Sequence, residues 1–464
     1  MEQTKVEKKG NPLGYRPIGV LLGQFALPAI ISMLVNSIYN IVDQIFIGQG
    51  IGYLGNAATT IAFPIVTIIL AMSTLLGAGG SAYAAIKLGE KREEDAEKTL
   101  GTVFILTLIS SAVVMVLGFL FMTPMLKIFG ATVNTMEYAR QYTSIILIGT
   151  PFNMLSVVLS NMSRTDGSPA LSMYALLVGA VLNTILDPIY IFVFHWGVSG
   201  AAVATITSQI ISAVVLVVYF LKKGKNMRLR RKTFRLDREI CVRALPLGIS
   251  SGITQVASTI LQVVMNNSLV YYGNQTTVGG DVALSAMGIV NKISMILISI
   301  CIGIGIGSQP ILGFNKGANQ PKRVRKTYLL AISAATVVSI LGWLACQIFP
   351  GQILSLFGTQ DIEFTQFAIK CLKIYMLGIF TAGFQVVSTS YFQSTGQPLK
   401  ASVLSMLRQL LLLIPLILIL PLTFSLDGIL YAGPIADVAS ALIVSLFVVY
   451  ELRKLNKVCS ASKA

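Results

Sequence analysis

Apolar residues fill this chain in long stretches that are separated by short polar segments rich in charge, Gly and Pro. The stretch Leu100–Met122 is typical. It is long enough to cross a bilayer, which takes about 20 residues of helix. The pattern predicts spanning helices at residues 18–48, 54–86, 99–122, 139–162, 169–194, 199–221, 242–272, 282–313, 326–349, 365–392, 399–422 and 428–451. Twelve such helices define an all-α membrane protein whose two ends lie on the same side.

The composition favours the same fold class. Of the 464 residues, 54% are hydrophobic and 12% are charged. A soluble domain would carry about twice that charged fraction. Residues 1–17 lack the apolar core of a secretory signal, so the first span is expected to remain as a helix. The cysteines are scattered without a CxxC pair, which predicts free thiols rather than a metal site or a disulfide framework. They are Cys241, Cys301, Cys346, Cys371 and Cys459.

The positively charged residues are concentrated in every second loop. The net charge is +16, and the largest basic cluster is Lys222–Arg238, between the predicted sixth and seventh helices. Most of the 35 Lys and Arg residues fall in alternate loops and at the two ends of the chain. By the positive-inside rule these segments are cytoplasmic, so we expect both termini inside the cell. This distribution accounts for the charge without a nucleic-acid partner, and it leaves membrane lipids as the expected surroundings.

Four short segments recur in order in the two halves of the chain, most of them at a nearly constant spacing. The pairs are Phe25–Leu34 with Arg243–Gly252, Leu126–Ala131 with Leu354–Thr359, Asp166–Ser172 with Thr395–Ala401, and Val198–Ala204 with Leu426–Ala432. The repeat predicts two pseudo-symmetric six-helix lobes with a cavity between them. The predicted divisions are a cytoplasmic N-terminus (1–17), an N-terminal lobe (18–221), a basic linker (222–241), a C-terminal lobe (242–451) and a cytoplasmic C-terminus (452–464).

The acids inside the N-terminal lobe carry the strongest chemical signal. Asp43 lies in the first predicted helix. A bare carboxylate in a spanning helix costs about 2.5–3.5 kcal/mol on insertion scales. Helices one and five run in the same direction, and Asp43 and Asp187 lie about equally far from the ends of their helices, so we expect similar depths. Asn183 is one turn before Asp187 on the same face, and Thr205 is near this level in helix six.

Two adjacent carboxylates in a site of low dielectric constant cannot both stay charged without a cation. The set Asp43, Asn183, Asp187 and Thr205 therefore predicts a site for H⁺ and/or Na⁺, and no other metal is expected. The alternative is that the acids bond only to neighbouring hydroxyls and amides and lock the lobe. Pro28 in the first helix is expected to kink that helix and to free a backbone carbonyl.

The second lobe has no matching acids. The repeat spacing places Leu261 where the first lobe has Asp43, and Pro415 where it has Asp187. Arg408 and Asp437 are the remaining charges, in the eleventh and twelfth helices. Their estimated depths are close enough for an Arg side chain to bridge, which favours a structural ion pair; a second proton-linked site is the alternative.

The expected cleft has further polar and adaptable residues that are candidates for contacting a small-molecule substrate. They are Asn36, Tyr39, Met72, Gln255 and Met287. The single histidine, His195, is expected in a solvated loop rather than in a proton relay. The sequence has neither a phosphate-binding GxxxxGK(S/T) loop nor a Ser-His-Asp or metal-binding constellation. We therefore expect neither an enzyme nor a cofactor.

Several of these segments resemble one family of membrane transporters. "LPAIISMLVNSIYNIVDQIFIGQGIG" (Leu27–Gly52) looks like the first helix of the multidrug and toxic compound extrusion (MATE) transporters, and "GAVLNTILDPIYIF" (Gly179–Phe192) looks like their fifth. The resemblance extends to "SQPILGFNKGANQPKRVRK" (Ser308–Lys326), "LSMLRQLLLLIPLILIL" (Leu404–Leu420) and "GPIADVAS" (Gly433–Ser440). It covers nearly the whole chain and is most similar to the bacterial MepA-like proteins, near the DinF-like branch.

The resemblance implies export of amphipathic, often cationic, drugs from a bacterial cell, coupled to a cation and achieved by alternating access. Separately, we expect the protein to be a monomer. In structurally known relatives the residues that match Asp43, Asn183, Asp187 and Thr205 form the cation site. Some Na⁺-coupled relatives have a Glu in the seventh helix, where this chain has Gln255. A cation site in the second lobe is therefore not expected.

Two other functions fit the sequence less well than drug export. A lipid-linked saccharide flippase of the same superfamily would need several buried Arg or Lys residues to hold pyrophosphate, and only Arg408 and Lys292 are candidates. A channel or receptor would not require an internal repeat with a buried pair of acids.

Overall fold

The computed structural model describes residues 11–355 and 362–461. Residues 1–10 of the predicted N-terminus, 462–464 of the predicted C-terminus, and most of the repeat segment Leu354–Thr359 lie outside the described part. Within the described residues, twelve helices are long and apolar enough to cross a membrane: α1 (Ile18–Ile51), α2 (Leu54–Gly89), α3 (Glu93–Leu120), α4 (Met136–Thr165), α5 (Pro169–Val193), α6 (Gly197–Lys222), α7 (Arg238–Gly273), α8 (Gly280–Gly317), α9 (Pro321–Ile348), α10 (Glu363–Ser394), α11 (Pro398–Ile419) and α12 (Pro421–Val458). The predicted all-α membrane fold is confirmed.

Several helices begin earlier than the sequence predicts, and α7 and α12 each do so for a local reason. Helix α7 begins at Arg238 rather than at residue 242. The Asp237 side chain caps it there by accepting hydrogen bonds from the backbone N–H groups of Glu239 (2.8 Å) and Ile240 (3.3 Å). The non-helical part of the basic linker is correspondingly shorter than predicted. Helix α12 begins at Pro421 rather than at residue 428, and Ser425, with φ of 51°, kinks it where the sequence turns polar.

The loops divide into two sets because successive helices run in opposite directions. We call the end of the bundle with loops α2–α3, α4–α5, α6–α7, α8–α9 and α10–α11 the basic face, and the other end the opposite face. Near the basic face, one apolar cluster includes Leu21 and Phe220 from the first half together with Ile311 and Phe392 from the second. Toward the opposite face, separate clusters fill the two lobes. The lobes are thus joined near the basic face and have separate cores at the opposite face.

Two helix pairs make the most extensive contacts between the lobes, and α8 also packs against α2. In the α1/α8 seam, Gly303 and Gly307 lie so close to α1 that a Cβ atom on either would overlap its backbone. The last polar contact of this seam is a hydrogen bond of 3.0 Å between the hydroxyl groups of Ser37 and Ser299. Beyond it, toward the opposite face, Gln44 of α1 is exposed, so the helices separate there.

The α2/α7 seam is built in the same way. A Cβ atom on Gly248 would overlap the backbone of Leu75, and one on Gly79 would overlap the backbone of Ala244. Gln255, two turns further along α7, is only half-buried. Both seams therefore close near the basic face, and a cleft between the lobes opens toward the opposite face.

The basic linker is held to the N-terminal lobe by one carboxylate. Asp166, in the loop between α4 and α5, is 0% exposed. Its Oδ1 accepts hydrogen bonds from the backbone N–H groups of Asn226 (2.7 Å) and Met227 (2.8 Å). Its Oδ2 accepts from the Tyr219 hydroxyl (2.6 Å) and the Lys225 N–H (2.8 Å). This charge is thus balanced by fixed dipoles rather than by a cation.

Candidate functional site

The two acids of the N-terminal lobe meet inside it. Helix α1 carries Asp43 and helix α5 carries Asp187, and the two side chains are buried, with Asp187 fully so. Their carboxyl groups are close enough to interact directly. Two carboxyl groups this close repel each other when both are ionised. The structure therefore brings together the pair that the depth argument placed at one level.

The two neutral members of the predicted set complete this cluster. Asn183 Nδ2 donates a hydrogen bond of 3.2 Å to Asp187 Oδ1, one turn along α5. The same nitrogen lies 3.4 Å from the hydroxyl oxygen of Thr205 on α6. All four predicted side chains thus come from α1, α5 and α6 into one buried site.

Three oxygen atoms of this site receive no hydrogen bond from the described part of the chain. They are Asp43 Oδ1, Asn183 Oδ1 and Asp187 Oδ2, and all three are buried. Unpartnered buried oxygens are costly, and each needs a hydrogen-bond donor or a cation to satisfy it. Carboxylate, amide and hydroxyl oxygens form a hard donor set that fits H⁺ or Na⁺. Among the described residues there is no cluster of three or more His, Cys, Asp or Glu side chains that could hold another metal.

Two tyrosines lie beside the acids. Tyr39 on α1 and Tyr142 on α4 are each near enough to Asp43 and Asp187 to interact with them electrostatically. Tyr39 was predicted to line the substrate cavity, and the structure places it half-buried beside the acids. Sequence reasoning missed Tyr142, which is 8% exposed. A polar aromatic within the apolar run of α4 was the available signal.

The backbone of α5 is irregular directly after the site. Pro188 follows Asp187, and residues Ile189–Val193 form a π-helical turn. Pro188 has no N–H to bond to the preceding turn, and π-helical turns often occur at functional sites. In α1, the helix continues through Pro28, and the hydroxyl group of Ser32 donates to the carbonyl of Pro28 at 2.8 Å.

The predicted cavity residues occupy different environments. Asn36 is exposed on α1, and Gln255 is half-buried where the α2/α7 seam ends. Met72 is half-buried and packs against the core of the N-terminal lobe. Met287 is 1% exposed within the core of the C-terminal lobe, so this structure does not place it on the cleft. His195 is exposed in the turn between α5 and α6.

The charges of the C-terminal lobe form an ion pair. Arg408 Nε donates to Asp437 Oδ1, and Asp437 is 2% exposed. The backbone carbonyl of Asp437 also accepts hydrogen bonds from Thr381 Oγ1 (3.3 Å) and Gln385 Nε2 (3.0 Å). Arg408 itself lies in a π-helical stretch of α11, Leu407–Leu413. The predicted pair is therefore formed and already neutral.

Known proteins resemble this chain over almost its whole length. The profile of the MatE family matches residues 28–189 and 255–419. The multidrug export protein MepA of Staphylococcus haemolyticus (strain JCSC1435) is 28% identical over 442 residues, which cover 94% of each chain. The MATE multidrug transporter DinF-BH, whose structure was solved with a bound ligand, is 33% identical and covers 98% of this chain and 99% of its own, with a TM-score of 0.87.

An outward-facing structure of a multidrug resistance MATE transporter of the MOP superfamily shares the fold. It has a TM-score of 0.89 at 24% identity and covers 98% of this chain and 100% of its own. The relatives are transporters, which is consistent with the expectation that the chain is not an enzyme. The twelve helices, the buried acids and these matches agree, and the chain belongs to the MATE family of membrane transporters.

Proposed function

We propose that this protein is a cation-coupled antiporter that exports amphipathic, often cationic, small molecules, with H⁺ and/or Na⁺ as the coupling ion. The observation that carries the proposal is the buried pair Asp43 and Asp187 in a site with three unpartnered oxygens, one on each acid and one on Asn183. A drug exporter driven by an ion gradient needs a site whose charge changes when the ion binds. No other group of acids in the described part of the chain has this arrangement.

The pair supplies a conformational signal. Without a cation the two carboxylates repel each other, which favours separation of α1 from α5. A shared proton or a bound Na⁺ removes this repulsion and allows α1 and α5 to pack. Because α1 also forms the α1/α8 seam through Ser37, movement of α1 reaches the contact between the lobes.

The arrangement of the seams supports alternating access. The lobes are closed near the basic face and separated at the opposite face, and we infer that the basic face is cytoplasmic. This structure then represents an outward-open state. Ion binding at Asp43 and Asp187 would occur from this side, and closure of the cleft would break both seams and open the basic face.

A lipid-linked saccharide flippase receives less support. Arg408 is already neutralised by Asp437, so it is not free to hold pyrophosphate. Lys292 is then the remaining basic residue that the sequence suggested for that role. A single lysine does not make a pyrophosphate site of the kind that such a flippase needs.

The test is transport by purified protein in proteoliposomes. A fluorescent amphipathic cation is measured under an imposed pH gradient, an imposed Na⁺ gradient, and neither. We expect transport with at least one gradient, and its loss in Asp43→Asn. Equal transport with and without gradients would refute coupling, and export that persists in the Asp43→Asn protein would refute the proposed site.

A further inference from the structure

Helix α8 carries an exposed lysine within its membrane-spanning part. Lys292 is exposed, and none of the ion pairs among the described residues includes it. A charged side chain in a spanning segment normally faces a water-filled cavity or a partner, because contact with hydrocarbon is costly. We therefore expect Lys292 to face water or an anionic partner rather than hydrocarbon.

The α1/α8 seam locates Lys292 relative to α1. Ser37 and Ser299 make the last polar contact of the seam, and both are buried. The helices are antiparallel, so a step of two turns, about 10 Å, toward the opposite face leads from Ser299 to Lys292 and from Ser37 to Gln44. Lys292 and Gln44 are both exposed, so the helices have separated at this level. The ammonium group projects from the edge of the opening.

Helical geometry places Lys292 on the cleft side of the seam rather than on the lipid side. On α8, Gly307 packs against α1, and Gly313 packs against Ala85 of α2. At about 100° per residue, Lys292 points between these two directions. The space between α1 and α2 on one side and α8 on the other is the cleft. Lys292 therefore faces the cleft, at the level of the α1 turn that contains Asp43.

Helix α1 has no exposed acidic residue that could pair with the Lys292 ammonium group. The cleft side of α1 presents the amides Asn36, Asn40 and Gln44, all of them exposed. Asp43, on the same helix, is 9% exposed and directed to Asp187 within the N-terminal lobe. Asn40 and Gln44 each donate one hydrogen bond within the protein, to the Asn36 carbonyl and to Thr59 Oγ1. Each of these NH₂ groups has a second N–H that can donate to an anion beside the Lys292 ammonium group.

We propose that Lys292 binds the anionic group, such as a carboxylate, of an amphipathic substrate in the open cleft. This deepens the proposed function and rests on it: compounds that carry an acidic group are substrates in addition to simple cations. The cation site of Asp43 and Asp187 and the anion site at Lys292 are on different helices. A zwitterionic compound can therefore be held at its acidic end without competing for the coupling ion.

The test compares two dyes that differ only at the carboxyl group. Rhodamine B has a free carboxylate, and rhodamine B ethyl ester does not. Binding of each is measured with the full-length protein in nanodiscs of phosphatidylcholine, for wild type, Lys292→Gln and Lys292→Arg. Lys127→Gln is the matched control, since Lys127 is exposed in the short helix Met122–Ile128 and its loss lowers the net charge equally.

We expect Lys292→Gln to weaken rhodamine B binding about tenfold, the usual effect of losing one hydrogen bond to a charged group. Lys292→Arg should retain binding, Lys127→Gln should have no effect, and the ester should bind equally to all four proteins. Equal weakening for both dyes, no weakening for either, or failure of the wild type to bind rhodamine B would overturn the proposal.

A lipid headgroup is the other source of an anion. If the effect of Lys292→Gln appears only after phosphatidylglycerol is added to the nanodiscs, the lysine binds lipid and the proposal is wrong. Gradient-driven transport of the ester by the wild type tests the proposed function separately. Transport of the ester together with rhodamine B binding that is insensitive to Lys292 would refute this inference alone.

Discussion

The two lobes bury charge in opposite ways. In the N-terminal lobe two like charges, Asp43 and Asp187, face each other without a basic partner among the described residues. In the C-terminal lobe Arg408 and Asp437 are opposite charges that neutralise each other. The first pair needs an ion from solution to become neutral, and the second does not. Under the proposed coupling, one lobe senses the ion and the other provides a fixed frame.

The same helix of each lobe carries this difference. Asp187 lies just before the π-helical turn of α5, and Arg408 lies within the π-helical stretch of α11. Both irregular turns loosen the regular bonding of the fifth helix of their lobe. The repeat has therefore kept an irregular backbone in both halves while the side chains have diverged. The two lobes therefore differ in the side chains of the fifth helix, while they share its irregular backbone.

The largest effect is expected from neutralising the ion-sensing pair. Asp43→Asn keeps the size of the side chain but cannot take up a proton, so gradient-driven export should fall to background while membrane levels stay normal. Drug resistance of cells and proteoliposome transport measure this. Asp427→Asn is a control, because Asp427 is an exposed acid paired with Lys370 at 2.7 Å. Full resistance in the Asp43→Asn strain would show that the lobes do not differ in this way.

The two acids should also behave as one site. Asp43→Asn with Asp187→Asn should be little worse than either change alone, because residues of one coupled site are not additive. Transport rates of the two single variants and the double variant decide this. If each single variant keeps part of the transport and the losses multiply in the double variant, the acids act independently.

The sequence predicted these acids better than it predicted their surroundings. Depth along apolar helices follows from counting residues, so Asp43 and Asp187 could be placed at one level. Tyr142 could not be placed, because the rotation of α4 depends on packing that no sequence pattern shows. Met287 was expected at the cleft because methionine adapts to ligands, but the same property suits the core in which it lies. The predicted starts of α7 and α12 were wrong because the capping side chain of Asp237 and the backbone kink at Ser425 determine where these helices begin.

The C-terminal pair should affect stability rather than coupling. Arg408→Ala or Asp437→Ala leaves one buried charge without its partner and should destabilise the protein by about 3–5 kcal/mol. The double variant should recover part of this loss, because neither charge then remains. Thermal unfolding in detergent measures all three. Additive losses without rescue would mean that each residue is stabilised by other groups, and the contrast between the lobes would weaken.

Asp166 shows a third way of balancing a buried charge, by fixed dipoles. Asp166→Asn replaces one of the two carboxylate oxygens with an NH₂ group, which cannot accept, so the donors now bonded to that oxygen lose their acceptor. A loss of about 2 kcal/mol is expected, together with faster proteolysis within the linker. Asp281→Asn, at an exposed acid of α8, is the control for the change in charge. Unchanged proteolysis would show that the linker is held by other contacts.

The smallest effect is expected at the cleft wall of the second lobe. Gln255 is uncharged and half-buried where the α2/α7 seam opens. Gln255→Ala should therefore change the apparent affinity for individual drugs only about two- to fivefold, the scale of one neutral hydrogen bond. The dependence of transport on an ion gradient should not change, because Gln255 has no acid to titrate. Proteoliposome transport of several dyes, with and without gradients, separates affinity from coupling, and Gln275→Ala in the turn after α7 is the control.

If Gln255→Ala abolished the gradient dependence while Asp43 and Asp187 variants kept it, the ion would bind in the second lobe. The contrast drawn between the lobes would then be reversed, because the lobe with the neutral ion pair would be the one that senses the ion.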